Sequence, residues 1–309
     1  MLLLLPTFVV VLVSLFVRYS QAVYVSSLNR RMGRRGLGEE CSTPYSPDEN
    51  EVMRATFART KSRRDGASSQ GYEFNVNVNV VATNMTYDGG WVPDSQIEDQ
   101  MTALNAGYKG TNISFNLISV KRILAPVIFE TLNLPDSPEQ ERMGSDFGTL
   151  FRSGDGTTLN INLIGFSTDD ETYGFGLPPT LYTEFPQFDG VYIRFNSLPG
   201  GSSKVRQGST VTHEVGHWLG LWHTFQDGCS GDGDGISDTP AEASAASGCP
   251  SKRDSCPDQP GLDPIHNWMD YSDEGCRDSF TPGQITKMNE AAAFRISLPT
   301  SVTARGAKP

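Results

Sequence analysis

The segment HEVGHWLGLWH contains residue types at the spacing of a metal-dependent hydrolytic site. His213 and His217 are four residues apart, so on a helix both imidazoles project from one face. Gly220 can end that helix through a positive φ and bring His223 back as a third nitrogen ligand. Three histidines leave one position of tetrahedral zinc open for water, which is the arrangement of a catalytic zinc ion. Glu214 is placed to take the proton of that water.

A buried helix end whose histidines only pack is the alternative interpretation of this segment. It is disfavoured because the ligands, the base and the glycine all fall at the offsets that the chemistry requires. The chain has four histidines, and three of them lie here. The segment therefore predicts one catalytic zinc ion and metal-assisted hydrolysis.

The length and charge of the chain limit its other functions. Its 309 residues are enough for one large domain with a substantial core, and its net charge is −11. A general nucleic-acid-binding protein needs a basic face, so we expect no nucleic-acid partner. The composition is that of an ordinary globular protein and leaves the oligomeric state open.

Residues 2–17 form an almost unbroken apolar run, and the sequence SQA follows shortly after it as a small-x-Ala site. We therefore predict a signal peptide at residues 1–22 and a secreted, extracellular protein. A membrane anchor is the alternative, but the run is short for a membrane span and contains Pro6. No later stretch is long and apolar enough to cross a bilayer, so we expect no stable membrane association.

Residues 23–64 are polar and contain basic clusters at residues 30–35 and 61–64. Such clusters fit processing sites in a secreted protein, whereas a solvated segment is the alternative interpretation. We predict that residues 23–64 are a pro-segment with a short helix after Pro47, and that residues 65–309 are the catalytic domain.

Hydrophobic patterning predicts a mixture of strands and helices before the histidine segment. Residues 72–80 alternate apolar and polar residues with period two, which is typical of a half-buried strand. Asp94 or Ser95 can cap a helix with one apolar face, and a loop-rich stretch with several prolines precedes residue 158. Further strands are expected at residues 113–124, 158–166 and 190–196, and the apolar face of the helix consists of Ile97, Met101 and Leu104.

The stretch after the histidine segment consists mostly of loops, with one short helix predicted near residues 282–294. The predicted fold class is α+β, with an upper mixed α/β lobe that carries the long histidine helix, an irregular lower lobe, and a cleft between them. We expect residues 190–196 to be an edge strand that aligns an extended substrate by strand addition.

The histidine segment, continued as HEVGHWLGLWHTF, and the later sequence HNWMDY together resemble the pappalysin family of metzincins, especially the secreted extracellular metalloproteases of fungi. The resemblance implies a metzincin-like zinc metalloprotease fold and an endopeptidase that hydrolyses proteins or peptides. It also implies that Met269 forms a turn beneath the zinc and that Tyr271 hydrogen-bonds the reacting group and stabilises an oxyanion. Simple core packing is the alternative role for Met269.

Two other interpretations are compatible with such a fold. A secreted binding protein without catalysis is expected to have lost Glu214 or a zinc ligand, and none is missing. An astacin-like or matrix-metalloprotease-like enzyme is disfavoured by the HNWMDY context. The resemblance thus implies that Glu214 and Tyr271 are the catalytic residues.

Four cysteines follow the histidine segment, and their number allows three pairings. The resemblance implies the disulfides Cys229–Cys256 and Cys249–Cys276, which would stabilise a lobe with little core of its own. A second zinc site is the alternative. It is disfavoured by the oxidising surroundings of a secreted protein and by the absence of close C-x-x-C pairs.

Cys41 is the fifth cysteine and lies in the predicted pro-segment. The sequence Cys41-Ser42-Thr43 is similar to the Cys-Gly-Thr segment of pappalysin precursors, in which the thiolate is proposed to occupy the open position of the zinc. A thiolate would displace the catalytic water, so the resemblance implies a latent precursor, or zymogen. Ser42 stands where the family pattern has glycine, and an unpaired bystander thiol is the alternative.

The glycine-rich segment DGDGISDTP offers several oxygen ligands for a hard cation such as calcium. Similar loops in the family bind calcium, which implies Asp234, Asp238 and Thr239 as ligands, whereas a solvated acidic loop is the alternative. Asn84 and Asn112 begin N-x-Ser/Thr sequons and are predicted glycosylation sites because the chain is expected to be secreted.

Overall fold

The part of the chain that the computed structural model describes contains six α-helices and five strands. None of these helices is long and apolar enough to span a membrane. The predicted signal peptide and the basic cluster at residues 30–35 lie outside the described residues. The described residues are 41–43, 47–64, 71–133, 137–166, 172–203 and 207–298.

Strands and helices are labelled in chain order. The strands are β1 (Tyr72–Ala82), β2 (Ile113–Leu124), β3 (Thr158–Ile164), β4 (Gly174–Gly176) and β5 (Val191–Arg194). The helices are α1 (Pro47–Arg64), α2 (Asp94–Gly107), α3 (Pro126–Thr131), α4 (Pro138–Phe151), α5 (Ser209–Trp218) and α6 (Pro282–Ser297).

The five strands form one sheet in the order β2-β1-β3-β5-β4, in which β4 is antiparallel to β5 and the other neighbours are parallel. The strands predicted at residues 72–80, 113–124 and 158–166 are confirmed as β1, β2 and β3. The prediction that residues 190–196 form the edge was wrong, because β5 lies between β3 and β4. The edge strand β4 has three residues, two of them glycine, so it has no periodicity that patterning can detect.

Both faces of β1 are covered over residues 76–82, which corrects the prediction that this strand is half-buried. The apolar side chains on one face of β1 cluster with those of α2 and α5. Asn77 and Asn79 lie on the opposite face with Val81, which clusters with Phe129 of α3. Both asparagines are buried, and Asn79 Nδ2 donates a hydrogen bond to Asn162 Oδ1 of β3 at 2.8 Å. Parallel sheets are usually buried on both faces, and a hydrogen-bonded amide is tolerated there.

The helices also differ from the prediction in two places. Pro93, rather than Asp94 or Ser95, is the N-cap residue of α2, and no side chain caps that helix. The stretch expected to be loops contains α3 and α4, because Pro126 and Pro138 start these helices at a position where proline is tolerated. The buried apolar face of α2 and the helix near the C-terminal end, α6, are confirmed.

The lobe that follows α5 has no α-helix or strand between residues 219 and 281, all of which the structure describes. Two disulfides cross-link it, in the pairing that the family resemblance implies. The architecture is therefore the predicted α+β fold, with a mixed α/β lobe and an irregular lobe. The bridges are Cys229–Cys256 and Cys249–Cys276.

Candidate active site

Helix α5 carries the first two histidines, and all of its residues are buried. The sequence predicts a long helix, but α5 has only ten residues and ends at Trp218. Gly220 follows with a φ of +84°, a conformation that glycine adopts easily, so the predicted turn out of the helix is confirmed. This turn ends the helix early and brings His223 back to the histidines of α5.

The Nε2 atoms of the three histidines converge on one point. The Nε2 atom of His217 lies 3.2 Å from that of His213 and 3.1 Å from that of His223. A tetrahedral zinc ion with zinc–nitrogen distances of about 2.0–2.1 Å would hold two nitrogen ligands about 3.3 Å apart. The three imidazoles therefore fit a tetrahedral zinc ion.

Hydrogen bonds at the other ring nitrogen orient two of these imidazoles. His213 Nδ1 lies 2.7 Å from the Trp268 carbonyl oxygen, and His217 Nδ1 lies 2.8 Å from that of Leu221. A proton on Nδ1 that is donated to these carbonyls leaves Nε2 free to bind a metal. Burial lowers the pKa of all three histidines, to about 4 for His217, so the rings are neutral at pH 7.

Glu214 is buried next to the first histidine on α5. Burial raises the pKa of its carboxyl group to about 8, whereas a cation held by the histidines would favour the ionised form. Two glycines of β4 pass directly beside it. A Cβ on Gly174 would come within 2.9 Å of Glu214 Cγ, and one on Gly176 within 2.3 Å of the Glu214 carbonyl oxygen. The edge strand can lie against α5 at this point because these two positions lack side chains.

Met269 and Tyr271, the two predicted residues of the turn, are also at the site. Met269 is fully buried, and its Sδ would lie 2.4 Å from a Cβ on Gly216, so it packs tightly against α5. The Tyr271 hydroxyl lies 3.2 Å from His223 Nε2. The structure thus places a supporting side chain against the helix and a hydrogen-bond donor beside the metal ligands.

Cys41 lies at the same point as the histidines. Its Sγ atom is 3.4 Å from His217 Nε2 and 3.3 Å from Glu214 Oε2. The ligand atoms of Cys41 and the three histidines all lie within 4.8 Å of one another. A zinc–sulfur distance of about 2.3 Å predicts a sulfur–nitrogen separation of about 3.5 Å, so the thiolate fits the fourth tetrahedral position. Burial raises the pKa of the Cys41 thiol and so disfavours the thiolate. A metal ion held by the histidines would favour the thiolate.

The backbone around Cys41 pairs with the edge of the sheet. Cys41 forms a parallel bridge with Gly174, and Ser42 N donates a hydrogen bond to the Gly174 carbonyl oxygen at 3.0 Å. Ser42, which replaces the family glycine, does not adopt a left-handed backbone conformation. Its hydroxyl lies 2.8 Å from Thr172 Oγ1. A serine is therefore accommodated at this position without backbone strain.

Thr43 contributes to the site, although the sequence reasoning assigned it no role. Its Oγ1 atom accepts a hydrogen bond from Gly176 N at 2.8 Å and lies 3.2 Å from Glu214 Oε2. Thr43 N is 3.4 Å from Cys41 Sγ. The Cys-x-Thr spacing of the family segment is the signal that could have identified this residue.

Arg277 is a second residue that the sequence reasoning missed. Its guanidinium donates to Ser209 Oγ at 2.7 Å and to the Asp270 carbonyl oxygen at 3.1 Å, so it connects the start of α5 to the methionine turn. With Tyr173 and Thr210 it lines an open cleft beside the metal site. No local pattern in the sequence marks this arginine.

The predicted calcium ligands lie in a different part of the lobe. Asp234 Oδ2 and Thr239 Oγ1 are buried, and neither has a hydrogen bond of ordinary geometry. Burial raises the pKa of Asp234 to about 7, and Lys287 Nζ donates to the Asp234 carbonyl oxygen at 3.3 Å. The Asp238 carboxylate accepts hydrogen bonds from Thr281 Oγ1 and from the first turn of α6, so it caps that helix.

The two sequon asparagines and the fourth histidine are not part of the metal-ligand group. Asn84 and Asn112, the two sequon asparagines, are exposed. His266, the fourth histidine, has its Nδ1 atom 2.6 Å from the Cys276 carbonyl oxygen. It therefore stabilises the loop next to the second disulfide.

Comparisons with known proteins identify relatives of the chain. The model of the Peptidase M43 family, described as pregnancy-associated plasma protein-A, matches residues 183–293. An extracellular metalloprotease of Verticillium alfalfae is 39% identical over 286 residues, which cover 89% of this chain and 96% of that protein. Another, of Pyricularia oryzae, is 42% identical over 266 residues, which cover 82% of this chain and 89% of that protein. The chain belongs to the Peptidase M43 family.

Solved structures show the same architecture as this M43 peptidase. Mature mirolysin of Tannerella forsythia, in complex with a cleaved peptide, has a TM-score of 0.59 and 28% identity, and covers 74% of this chain and 97% of its own. A promirolysin mutant of that organism has a TM-score of 0.64 and 26% identity, and covers 81% of this chain and 91% of its own. The predicted pappalysin resemblance is confirmed, and the protein is a metalloendopeptidase.

Proposed function

We propose that this metalloendopeptidase is a secreted zinc enzyme in which His213, His217 and His223 hold one catalytic zinc ion. The observation that supports this assignment most directly is the convergence of three Nε2 atoms beside Glu214, with that of His217 at 3.1–3.2 Å from the other two. Bound zinc would supply a Lewis acid that polarises the scissile carbonyl and lowers the pKa of water. The extracellular relatives support secretion, with the signal peptide at residues 1–22.

The side chains of the site have separate roles in hydrolysis. Glu214 takes the proton of the attacking water and passes it to the leaving amine. The Tyr271 hydroxyl donates a hydrogen bond to the developing oxyanion. Met269 keeps α5 in place through its contact with Gly216. An extended protein or peptide substrate pairs with the backbone of β4, the edge strand that residues 41–42 occupy in this chain.

Removal of the metal is expected to abolish peptide hydrolysis. The three histidines are buried and neutral, so without a bound cation they supply no positive charge that would lower the pKa of water. Casein hydrolysis by the processed enzyme should disappear with a zinc chelator and return when zinc is added. Calcium alone should not restore it. Full hydrolysis by protein shown to be free of metal would contradict the zinc assignment.

The same site supports the proposal of a latent precursor. Residues 23–64 would be the pro-segment of a catalytic domain at residues 65–309. Cys41 takes the fourth ligand position and Thr43 hydrogen-bonds Glu214, so both water and substrate are excluded. The promirolysin structure covers a larger share of this chain than mature mirolysin does, which supports the assignment of these residues to a precursor.

Calcium is proposed as a second, structural ion. Asp234 and Thr239 each present a buried oxygen atom without an ordinary hydrogen bond, and an oxygen-binding cation would satisfy both. Asp238 lies in the same loop and holds α6 next to them. The charged Lys287 side chain would compete with a cation at this loop. Burial lowers the pKa of Lys287 to about 8, which still leaves it mostly protonated at pH 7.

Calcium is therefore expected to stabilise the fold. At a concentration of about 100 times Kd it should raise the free energy of unfolding by about 2.7 kcal/mol, visible as a higher Tm. Asp234→Asn should remove this shift. Asp232→Asn is the matched control, because the Asp232 side chain is 79% exposed in the same loop and should leave the shift unchanged. An unchanged wild-type Tm over the millimolar range would contradict the site.

Secretion also makes the two sequons available for modification. Asn84 and Asn112 are exposed, so both can accept an N-linked glycan without disturbing the core. We propose them as glycosylation sites of the secreted enzyme.

A further inference from the structure

Helix α1 covers an apolar cleft on the catalytic domain. Trp222, Ala291 and Phe294 line this cleft, which we call the helix cleft. Met53 and Phe57, one turn apart on α1, fill it. Met53 is 0% and Trp222 is 1% exposed, so solvent is excluded from this contact as it is from the core of the protein. The helix cleft would be an uncovered apolar surface if α1 were removed.

The fit of α1 also involves the turn that shapes the metal site. The ring of Phe57 lies 5.9 Å from that of Phe294, measured between centroids. A Cβ on Gly220 would come within 3.1 Å of Met53 Sδ and 3.3 Å of a Phe57 ring carbon. Helix α1 therefore packs directly on the turn that brings His223 back to α5.

Polar side chains of α1, about one helical turn before Met53, form hydrogen bonds with the catalytic domain. Trp222 Nε1 donates a hydrogen bond to Asn50 Oδ1 at 3.1 Å, and Thr180 donates one to the Glu49 carboxylate. Asn50 and Glu49 are both buried. The surface is thus complementary to α1 in its buried hydrogen bonds as well as in its apolar area.

We propose that the helix cleft is a binding site for helix α1, and that α1 stays bound there as a noncovalent inhibitor after the chain is cut between residues 64 and 71. This inference rests on the proposed latency. Only residues 44–46 separate the site-blocking residues 41–43 from α1, so the docked helix holds Cys41 at a high effective concentration beside the histidines. A single cut after α1 does not activate the enzyme, because activation requires that α1 dissociate or be degraded.

The test uses the full chain with residues 65–70 replaced by a recognition site for a specific protease. After cleavage, the N-terminal fragment should co-elute with residues 71–309 on gel filtration, and the enzyme should stay inactive. The double variant Met53→Asp/Phe57→Asp should release the fragment and become active. Linked sites gain about 10²–10⁴-fold in binding, so losing the helix should weaken fragment binding at least about a hundredfold.

Val52→Asp is the matched control, because Val52 is the neighbour of Met53 on α1 and is 41% exposed. The cleaved Val52→Asp protein should keep its fragment and stay inactive. If the wild-type fragment separates after cleavage, or if Val52→Asp releases it as readily as the double variant, the proposal is wrong. The cleaved wild-type chain tests whether the fragment stays bound, even if the double variant does not fold.

A Cys41→Ala variant of the cleavable chain distinguishes this proposal from the latency proposal. Its fragment should still co-elute through α1, while the enzyme becomes active. Co-elution of the fragment without enzyme activity would support the helix cleft as the binding site and refute the proposed role of Cys41. Loss of the fragment from Cys41→Ala would show that the thiolate, and not the helix cleft, holds the segment.

Discussion

Glu214→Ala is expected to fold and bind zinc but to hydrolyse peptides about 10²–10⁴-fold more slowly than the wild-type enzyme. Glu214 is not one of the histidine ligands, so removing its carboxylate leaves the metal site intact. The loss concerns the proton transfer from water, because Glu214 has the only carboxylate among the described residues that line the cleft. The comparison requires processed enzyme, the zinc content of both proteins, and initial rates on one peptide substrate.

Glu130→Ala is the matched control for this experiment, because Glu130 is an exposed glutamate on α3. It should have wild-type activity and zinc content. His213→Ala should lose the metal and the activity together, which separates a ligand from a base. Wild-type rates in pure Glu214→Ala enzyme would rule out the general-base role.

Cys41→Ala is expected to make the full-length precursor active on a short peptide. Cys41 Sγ lies where the fourth ligand of a metal held by the three histidines would lie, so removing it would open that position to water. We expect the rate to rise at least about tenfold. A thiolate–metal bond stronger than about 1.4 kcal/mol would leave the fourth ligand position free for water in fewer than about a tenth of the wild-type molecules. The measurement is the initial rate of unprocessed protein, with its length confirmed by mass spectrometry.

Ser42→Ala provides the control for Cys41→Ala. The Ser42 hydroxyl contacts Thr172 and not the metal ligands, so its loss should leave the precursor latent. An inactive Cys41→Ala precursor would mean that Cys41 is a bystander thiol. Equal activation by both variants would mean that any disturbance of residues 41–43 opens the cleft.

The metal-binding residues were predictable because their geometry depends on short sequence separations. Two histidines four residues apart share a helix face, and the glycine after them permits the positive φ that brings back the third. The long strands β1, β2 and β3 were predictable for a similar reason, since each has a local pattern of apolar residues long enough to be recognised. The disulfide pairing came from the family resemblance, because four cysteines alone leave three choices.

The features that could not be predicted depend on contacts between distant parts of the chain. Strand β4 is short and glycine-rich because it passes beside Glu214, a requirement that no local pattern expresses. Asn77 and Asn79 look solvent-facing in an alternating pattern, but helices cover their face of the sheet and Asn162 supplies a hydrogen bond. Arg277 joins α5 to the methionine turn from a loop without any recognisable signal.

The chemistry that this protein can perform follows from its sequence, because the ligands and the base lie within eleven residues whose spacing is set by helix geometry. The residues that control access to that chemistry are brought together by the tertiary structure, which supports the position of Cys41 that the family resemblance implies. The tertiary structure places Cys41 against His217, 176 residues away in sequence, and seats α1 in the helix cleft. Those contacts follow from the shapes of two packed surfaces, and the spacing of residues along the chain does not encode them.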